Sequence, residues 1–102
     1  MSGRAIYDVD AERHRQVSAE GYSEAHDDEH VNGELALAAM AYACPEHVMQ
    51  WLTGNDIRLW PFEGEPKFKN RRRDLERAAA FLIAEIERLD REVARSRSGG
   101  DG

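Results

Sequence analysis

An acidic segment with two histidines, residues 26–34, is the densest group of possible metal ligands in the sequence. On a helix, Asp27, His30 and Glu34 lie at positions i, i+3 and i+7, so their side chains share one stripe. Because carboxylates and imidazoles bind divalent ions, this stripe could hold magnesium or another divalent metal. The favoured alternative is structural, since carboxylates collect in first helical turns to meet the helix dipole and a histidine there often makes only a hydrogen bond.

Two kinds of phosphohydrolase use side chains of these types. The pair His26-Asp27 has the residues of the central dyad of HD phosphohydrolases, for which His14 and Asp90 are the available further ligands. Because a two-residue motif recurs by chance and the chain is short for that fold, the match is weak.

All-α NTP pyrophosphohydrolases hold magnesium with carboxylates at Glu-x-x-Asp spacing, and Glu87 and Asp90 have that spacing. Glu87 is expected to face solvent, however, so Glu85 and Asp74, beside the apolar seam of the last helix, are the better inward candidates. Metal-dependent hydrolysis of a nucleotide is therefore the alternative function, and its predicted metal ligands are Asp27, His30, Glu34 and Glu85.

Basic residues gather around the start of the last predicted helix. Cations at a helix N-terminus oppose the helix dipole, so they are unfavourable there unless an anionic group lies nearby. The favoured partner is the acidic segment 24–34, in the same chain or in a second copy. The other is a small phosphate-bearing ligand, held by arginines and helix N–H groups, with aromatic rings stacked on its base. The candidate ligand-binding residues are Trp60, Phe62, Lys67, Arg71, Arg72 and Arg73.

The segments that position these residues are predicted to be helical. Asp10 is a suitable N-cap for a first helix. Ser23 is a suitable N-cap for a second helix, which Gly33 weakens in its middle. That helix continues as the apolar run Leu35–Cys44, whose pattern is typical of a helix buried all round. Pro45 ends it and opens a short third helix.

The last predicted helix carries the clearest pattern. After the capping residue Asn70, apolar residues recur in steps of four and three at 75, 79, 82, 86, 89 and 93, the a and d positions of a heptad repeat. This seam could pack on the helix over 35–44, on a second copy of the chain, or on both. Trp60 and Phe62 precede it in a segment with Pro and Gly, predicted to be an ordered loop. The expected fold is all-α: a small helical bundle with a buried central helix, a long heptad-patterned C-terminal helix and an aromatic loop between them.

Length and composition limit the possible functions. The 102 residues allow one domain, predicted over 10–95, with tails at 1–9 and 96–102. The net charge of −6 disfavours nucleic acid as a partner. The run over 35–44 is too short to cross a bilayer and Cys44 is the only cysteine, so a cytoplasmic protein is expected. Since no catalytic constellation is complete, we expect a non-enzymatic protein without a cofactor. We also expect a homo-oligomer, because the stretch that can form a core is only of middling size.

A string of short motifs runs through most of residues 12–91. It consists of Glu12-Arg13 with Gln16, Glu20-Gly21-Tyr22, His26-Asp27-Asp28 with His30, Gly33-Glu34-Leu35-Ala36, Trp60-Pro61, Arg72-Arg73-Asp74-Leu75 and residues 84–91. Together they resemble a family of small accessory proteins of tailed phages and prophages, which usually has a tryptophan where this chain has Phe62. The resemblance implies action inside a bacterial host cell and supplies no reaction. It favours a counter-defence role, in which the protein masks a host defence protein or sequesters an anionic nucleotide signal.

Overall fold

The computed structural model describes residues 3–100, which form five helices and no strand. The all-α fold class predicted from the sequence is therefore confirmed. None of the described helices is long and apolar enough to cross a membrane. The helices are α1 (Gly3–Ser18), α2 (Glu24–Asp28), α3 (Glu34–Ala43), α4 (Glu46–Gly54) and α5 (Arg71–Gly100).

Helix α1 begins at Gly3, so the predicted start at Asp10 and the predicted tail over 1–9 are wrong from residue 3 onward. Residues 1–2 lie outside the described part of the chain. The first turns are held by ion pairs, because Asp8 lies 3.7 Å from Arg4 on the same helix and 2.9 Å from Arg72 on α5. The contact with α5 therefore stabilises the part of α1 that precedes the predicted cap, Asp10.

The predicted second helix is interrupted, and α2 and α3 are separate elements. Ser23 caps α2 as predicted, accepting a hydrogen bond from the His26 N–H at 3.2 Å. Gly33 then adopts a left-handed φ of 85°, which turns the chain before α3 begins at Glu34. The shared helical stripe of Asp27, His30 and Glu34 therefore does not exist.

Helices α3 and α5 pack along each other and form the apolar core. Small side chains on both helices allow a close approach, and one large aromatic ring, Phe81, fills the centre. Met40 on the opposite side of α3 is 53% exposed, so this helix is not buried all round as predicted. The core residues are Leu35, Ala38, Ala39 and Tyr42 of α3 and Ala78, Phe81 and Ala84 of α5, with Tyr22, Trp60 and Phe62 packed at the edge.

The heptad seam of α5 lies outside this core, so of the two partners considered for it α3 is excluded, and a second copy of the chain stays a prediction. The large residues of the seam are each 42–57% exposed. The inward face of α5 instead combines alanines and Phe81 with the buried guanidinium groups of Arg77 and Arg88. Alanines allow closer packing than leucines would. Arg77 faces the Glu12 carboxylate of α1, whereas Arg88 pairs with Glu85 and Glu92 of α5 itself. The exposed seam residues are Leu75, Leu82, Ile86, Leu89 and Val93.

Helix α5 begins where it was predicted to begin but ends later. Asn70 caps the N-terminus as expected, since its Oδ1 accepts a hydrogen bond from the Arg73 N–H at 2.9 Å. The C-terminus extends to Gly100, so the tail predicted from residue 96 is helical as far as the structure describes it. Residues 101–102 lie outside the described residues.

Helix α1 packs against α5 through its polar face. Glu12 and Gln16 are 2% and 1% exposed, whereas Ile6 and Val17 on the other side of α1 are 60% and 45% exposed. The contact between these two helices is therefore an ionic and hydrogen-bonded interface rather than an apolar one.

Candidate ligand-binding cavity

The basic run at the start of α5 is neutralised within the chain, but by partners other than the predicted ones. Arg71 donates hydrogen bonds to the carbonyl oxygens of Ala43 and Cys44 at 2.7 and 3.3 Å, where the C-terminus of α3 is electronegative. Glu76 of α5 pairs with Arg72 and Arg73. The carboxylate partners from elsewhere in the chain lie on or just after α1 instead of in the segment 24–34. They form the pairs Lys67–Glu20, Arg72–Asp8 and Arg73–Glu12.

The acidic segment pairs with arginines outside the basic run. Asp27 is fully buried and accepts a hydrogen bond from Nη2 of Arg13 at 3.0 Å, while its other oxygen lies 3.0 Å from Nδ1 of His26. Asp28 binds Arg91 and Arg95 at 2.9 and 3.0 Å. Within one chain the acidic and basic segments therefore do not face each other, and a contact between them across two copies stays a prediction.

The predicted metal ligands are divided among separate contacts. Nδ1 of His30 lies 3.2 Å from a carboxylate oxygen of Glu34, and Glu85 accepts a hydrogen bond from Arg88 at 2.6 Å. His14, nominated for an HD-type site, lies 3.7 Å from the carboxylate of Asp10 on its own helix. Within the described range, His, Cys, Asp and Glu side chains form no group of three or more that could hold a metal ion.

A buried carboxylate, Glu12, organises the interface between α1 and α5. Nε and Nη2 of Arg15 donate hydrogen bonds to its two oxygens at 2.7 and 2.9 Å, and Arg73 donates a further hydrogen bond. Nε of Arg77 lies 4.0 Å from the same carboxylate. Burial alone would raise the pKa of Glu12, but the hydrogen bonds from Arg15 and Arg73 outweigh it and hold the pKa below its ordinary value of 4.5. Glu12 is therefore ionised at neutral pH.

Beside Glu12 lies a cavity of about 110 Å³, enclosed by α1, α3, α5 and the aromatic loop. Aromatic rings form much of its wall. The Trp60 ring stands edge to face against Tyr42 and Phe62, with centroids 5.5 and 5.3 Å apart, a favourable geometry that fixes the loop. The lining side chains are Tyr22, Tyr42, Trp60, Phe62 and Phe81, together with the polar Glu12, Arg15, Gln16, Glu20, Glu63, Glu65, Lys67 and Arg77.

Three buried polar atoms on residues that line this cavity have no hydrogen-bond partner in the protein. They are Oε1 of Gln16, Nε1 of Trp60 and Nε of Arg77. Leaving a buried polar group unsatisfied costs about 1–3 kcal/mol, so such groups are expected to meet water or a ligand. The one other atom of this kind among the described residues, Nη1 of Arg13, belongs to a different surface. The residues that line the cavity therefore include one with an unpartnered acceptor and two with unpartnered donors.

The residues predicted to bind a ligand are divided by the structure. Trp60, Phe62 and Lys67 line the cavity, whereas Arg71, Arg72 and Arg73 do not. Sequence reasoning missed most of the remaining lining residues, including Gln16 and Arg77. The one local signal for Gln16 is its spacing from Glu12, which places two polar residues one turn apart on α1.

A larger and more open groove, of about 820 Å³, runs between α1, α2 and α5. Its walls are mainly apolar and include Ile6, Val9 and Val17 of α1 and Ile83 of α5, with Arg13 at its edge. Only one of its lining residues, Arg13, carries an unpartnered buried polar atom, against three in the aromatic cavity.

Comparison of the chain with protein-family models, curated proteins and solved structures gives no match. The resemblance to phage and prophage accessory proteins therefore stays a prediction that rests on the motifs themselves. Evidence for function comes from the geometry of the cavity.

Proposed function

We propose that this protein is a non-enzymatic binder that holds a small, flat, polar ligand in the aromatic cavity. The observation that supports this most strongly is that three residues lining one cavity each carry an unpartnered buried polar atom. Gln16 and Arg77 are 1% and 5% exposed, so their side chains are held in place before any ligand arrives. A preformed site of this kind avoids the cost of ordering side chains on binding.

The dimensions and chemistry of the cavity indicate a single heterocyclic ring. Its volume of about 110 Å³ exceeds the space of one water, about 10–15 Å³, and approaches the ~150 Å³ cavity that holds benzene. A ring with one donor for Gln16 and acceptors for Trp60 and Arg77 would satisfy all three atoms. Nucleobases and related heterocycles carry this combination of groups on a flat ring, and their faces stack on aromatic side chains.

The charges around the cavity favour recognition of the ring over recognition of a phosphate. Three basic side chains and four carboxylates line it, so the site has no net positive charge. Lys67 and Arg15 are the most accessible cations among them, with side chains 67% and 34% exposed, and both are paired with Glu20. A phosphate attached to the ring would lie outside and compete with Glu20 for these two groups.

In the phage or prophage setting that the motif resemblance implies, holding a nucleotide signal would lower its free concentration in the host. This is the capture form of a counter-defence role. Masking of a host defence protein is the other form, and it would not require the cavity to be filled.

Calorimetry with free bases, nucleosides, and cyclic and ADP-ribose-type nucleotides tests the proposal. We expect saturable binding of at least one class. Trp60→Ala should abolish it, and Gln16→Met, which keeps the volume but removes the acceptor, should weaken it at least tenfold. Trp51→Ala is the matched control, because Trp51 is 62% exposed on α4 and does not line the cavity. Absence of heat with every ligand, from protein shown to be folded, would refute the capture form and leave only protein targets.

A further inference from the structure

The exposed seam of α5 has the residue types of a specific kind of coiled coil. Its a positions are Ala79, Ile86 and Val93, and its d positions are Leu75, Leu82 and Leu89. β-Branched residues at a together with leucine at d favour two parallel strands over higher oligomers. Two of the three a residues and all three d residues fit that rule. The exception, Ala79, is small enough to let the two helices approach each other closely.

We propose that a second copy of this chain covers the seam, so that two α5 helices form a parallel two-stranded coiled coil. The opposite face of α5 is already covered by α3 and α1, which leaves the seam as the free face of the helix. Because a heptad seam on one copy is complementary to the same seam on another, a twofold dimer needs no other partner.

The surface area of the chain is consistent with a missing partner. The chain exposes 6872 Å², whereas a compact monomer of 11.6 kDa is expected to expose about 5,800 Å². The excess of roughly 1,000 Å² matches the ~800 Å² that one partner buries in a standard interface. The largest seam residues, with exposures of 42–57%, contribute directly to this excess.

Charges beside the seam favour the parallel orientation. In a parallel pair, Glu92 at a g position of one helix faces Arg97 at an e position of the other. A second facing pair, Glu85 and Asp90, is acidic, but Arg88 lies 2.6 Å from Glu85 in the same chain and neutralises it. An antiparallel pair would instead place Glu85 opposite its own copy and Glu76 opposite Asp90, and it would lose the attractive contact between Glu92 and Arg97.

Sedimentation equilibrium over a hundredfold range of concentration tests the dimer. We expect a mass near twice 11.6 kDa for the full chain. Ile86→Glu should raise the dissociation constant at least a hundredfold and yield monomers with unchanged helix content, because the side chain is 57% exposed in the single chain. Val31→Glu is the matched control, since this β-branched residue is 59% exposed but lies off the seam, and it should remain dimeric. A monomeric mass at every concentration would overturn the proposal.

Oxidative cross-linking tests the orientation. In a Cys44→Ala background, Val93→Cys places two thiols at facing a positions of a parallel pair, and a reducible covalent dimer should form. An antiparallel pair would bring residue 93 opposite residue 75 instead. Cross-links that form only when the Val93→Cys protein is mixed with a Leu75→Cys protein would overturn the parallel arrangement.

Discussion

The substitution Glu12→Gln should destabilise the protein strongly. It keeps the volume of the side chain but removes the buried negative charge shared by Arg15 and Arg73 and faced by Arg77. Removing one partner of a buried ion pair costs about 3–5 kcal/mol, and the lower end applies here because Arg15 and Arg73 keep second partners in Glu20 and Glu76. A small domain has only about 5–15 kcal/mol of stability, so the loss should lower the melting temperature by roughly 12 °C or more.

The effect of Glu12→Gln should depend on pH in a defined direction. The folded-state pKa of Glu12 lies below its ordinary value of 4.5, so the native state binds this proton less readily than the unfolded chain does. The stabilisation from this group is therefore complete above about pH 4.5 and is lost as the pH falls through the lower folded-state pKa. We expect the difference between wild type and variant to be largest near neutrality and to shrink on acidification.

Urea unfolding followed by circular dichroism at several pH values measures both effects. Asp10→Asn is the matched control, because this carboxylate lies on the same helix but its side chain is 69% exposed. It should change the free energy of unfolding by no more than about 0.5 kcal/mol. If Glu12→Gln were as harmless as Asp10→Asn at pH 7, the assignment of Glu12 as the ionic centre of the α1–α5 interface would be wrong.

Three further predictions concern single positions. Asp28→Asn should reduce stability at neutral pH, because the Asp28 carboxylate pairs with Arg91. A hydrogen bond from Arg91 lowers the pKa of Asp28, so the loss should vanish only below that folded-state pKa; urea midpoints at neutral pH and at a pH below it measure this. Gly33→Ala should cost about 1–2 kcal/mol, because alanine is strained at a φ of 85°, while Gly54→Ala, at a position without positive φ, should be neutral or slightly stabilising in the same thermal melt. Asn70→Ala should lose about 1 kcal/mol through removal of the α5 cap, and an unchanged urea midpoint would contradict the capping role.

Local signals in the sequence were sufficient wherever the answer depended on neighbouring residues. Ser23 and Asn70 were recognised as caps because a cap hydrogen bond joins a side chain to a backbone group three residues later. Pro45 marked the end of α3 because it cannot continue a helix. The interruption at Gly33 was underestimated, since glycine weakens a helix without always ending it.

The sequence alone determined that the chain is all-α and that α5 carries a heptad stripe of mainly large apolar residues; its second stripe, of alanines and arginines, was not predicted. Only the tertiary structure decided which stripe faces inward. That choice depends on contacts between distant residues, such as Arg13 with Glu87 and Glu12 with Arg73, whose spacing in the sequence has no period. The aromatic cavity was beyond sequence reasoning for the same reason, because its walls are assembled from four parts of the chain that only the packing of α1 and α3 against α5 brings together.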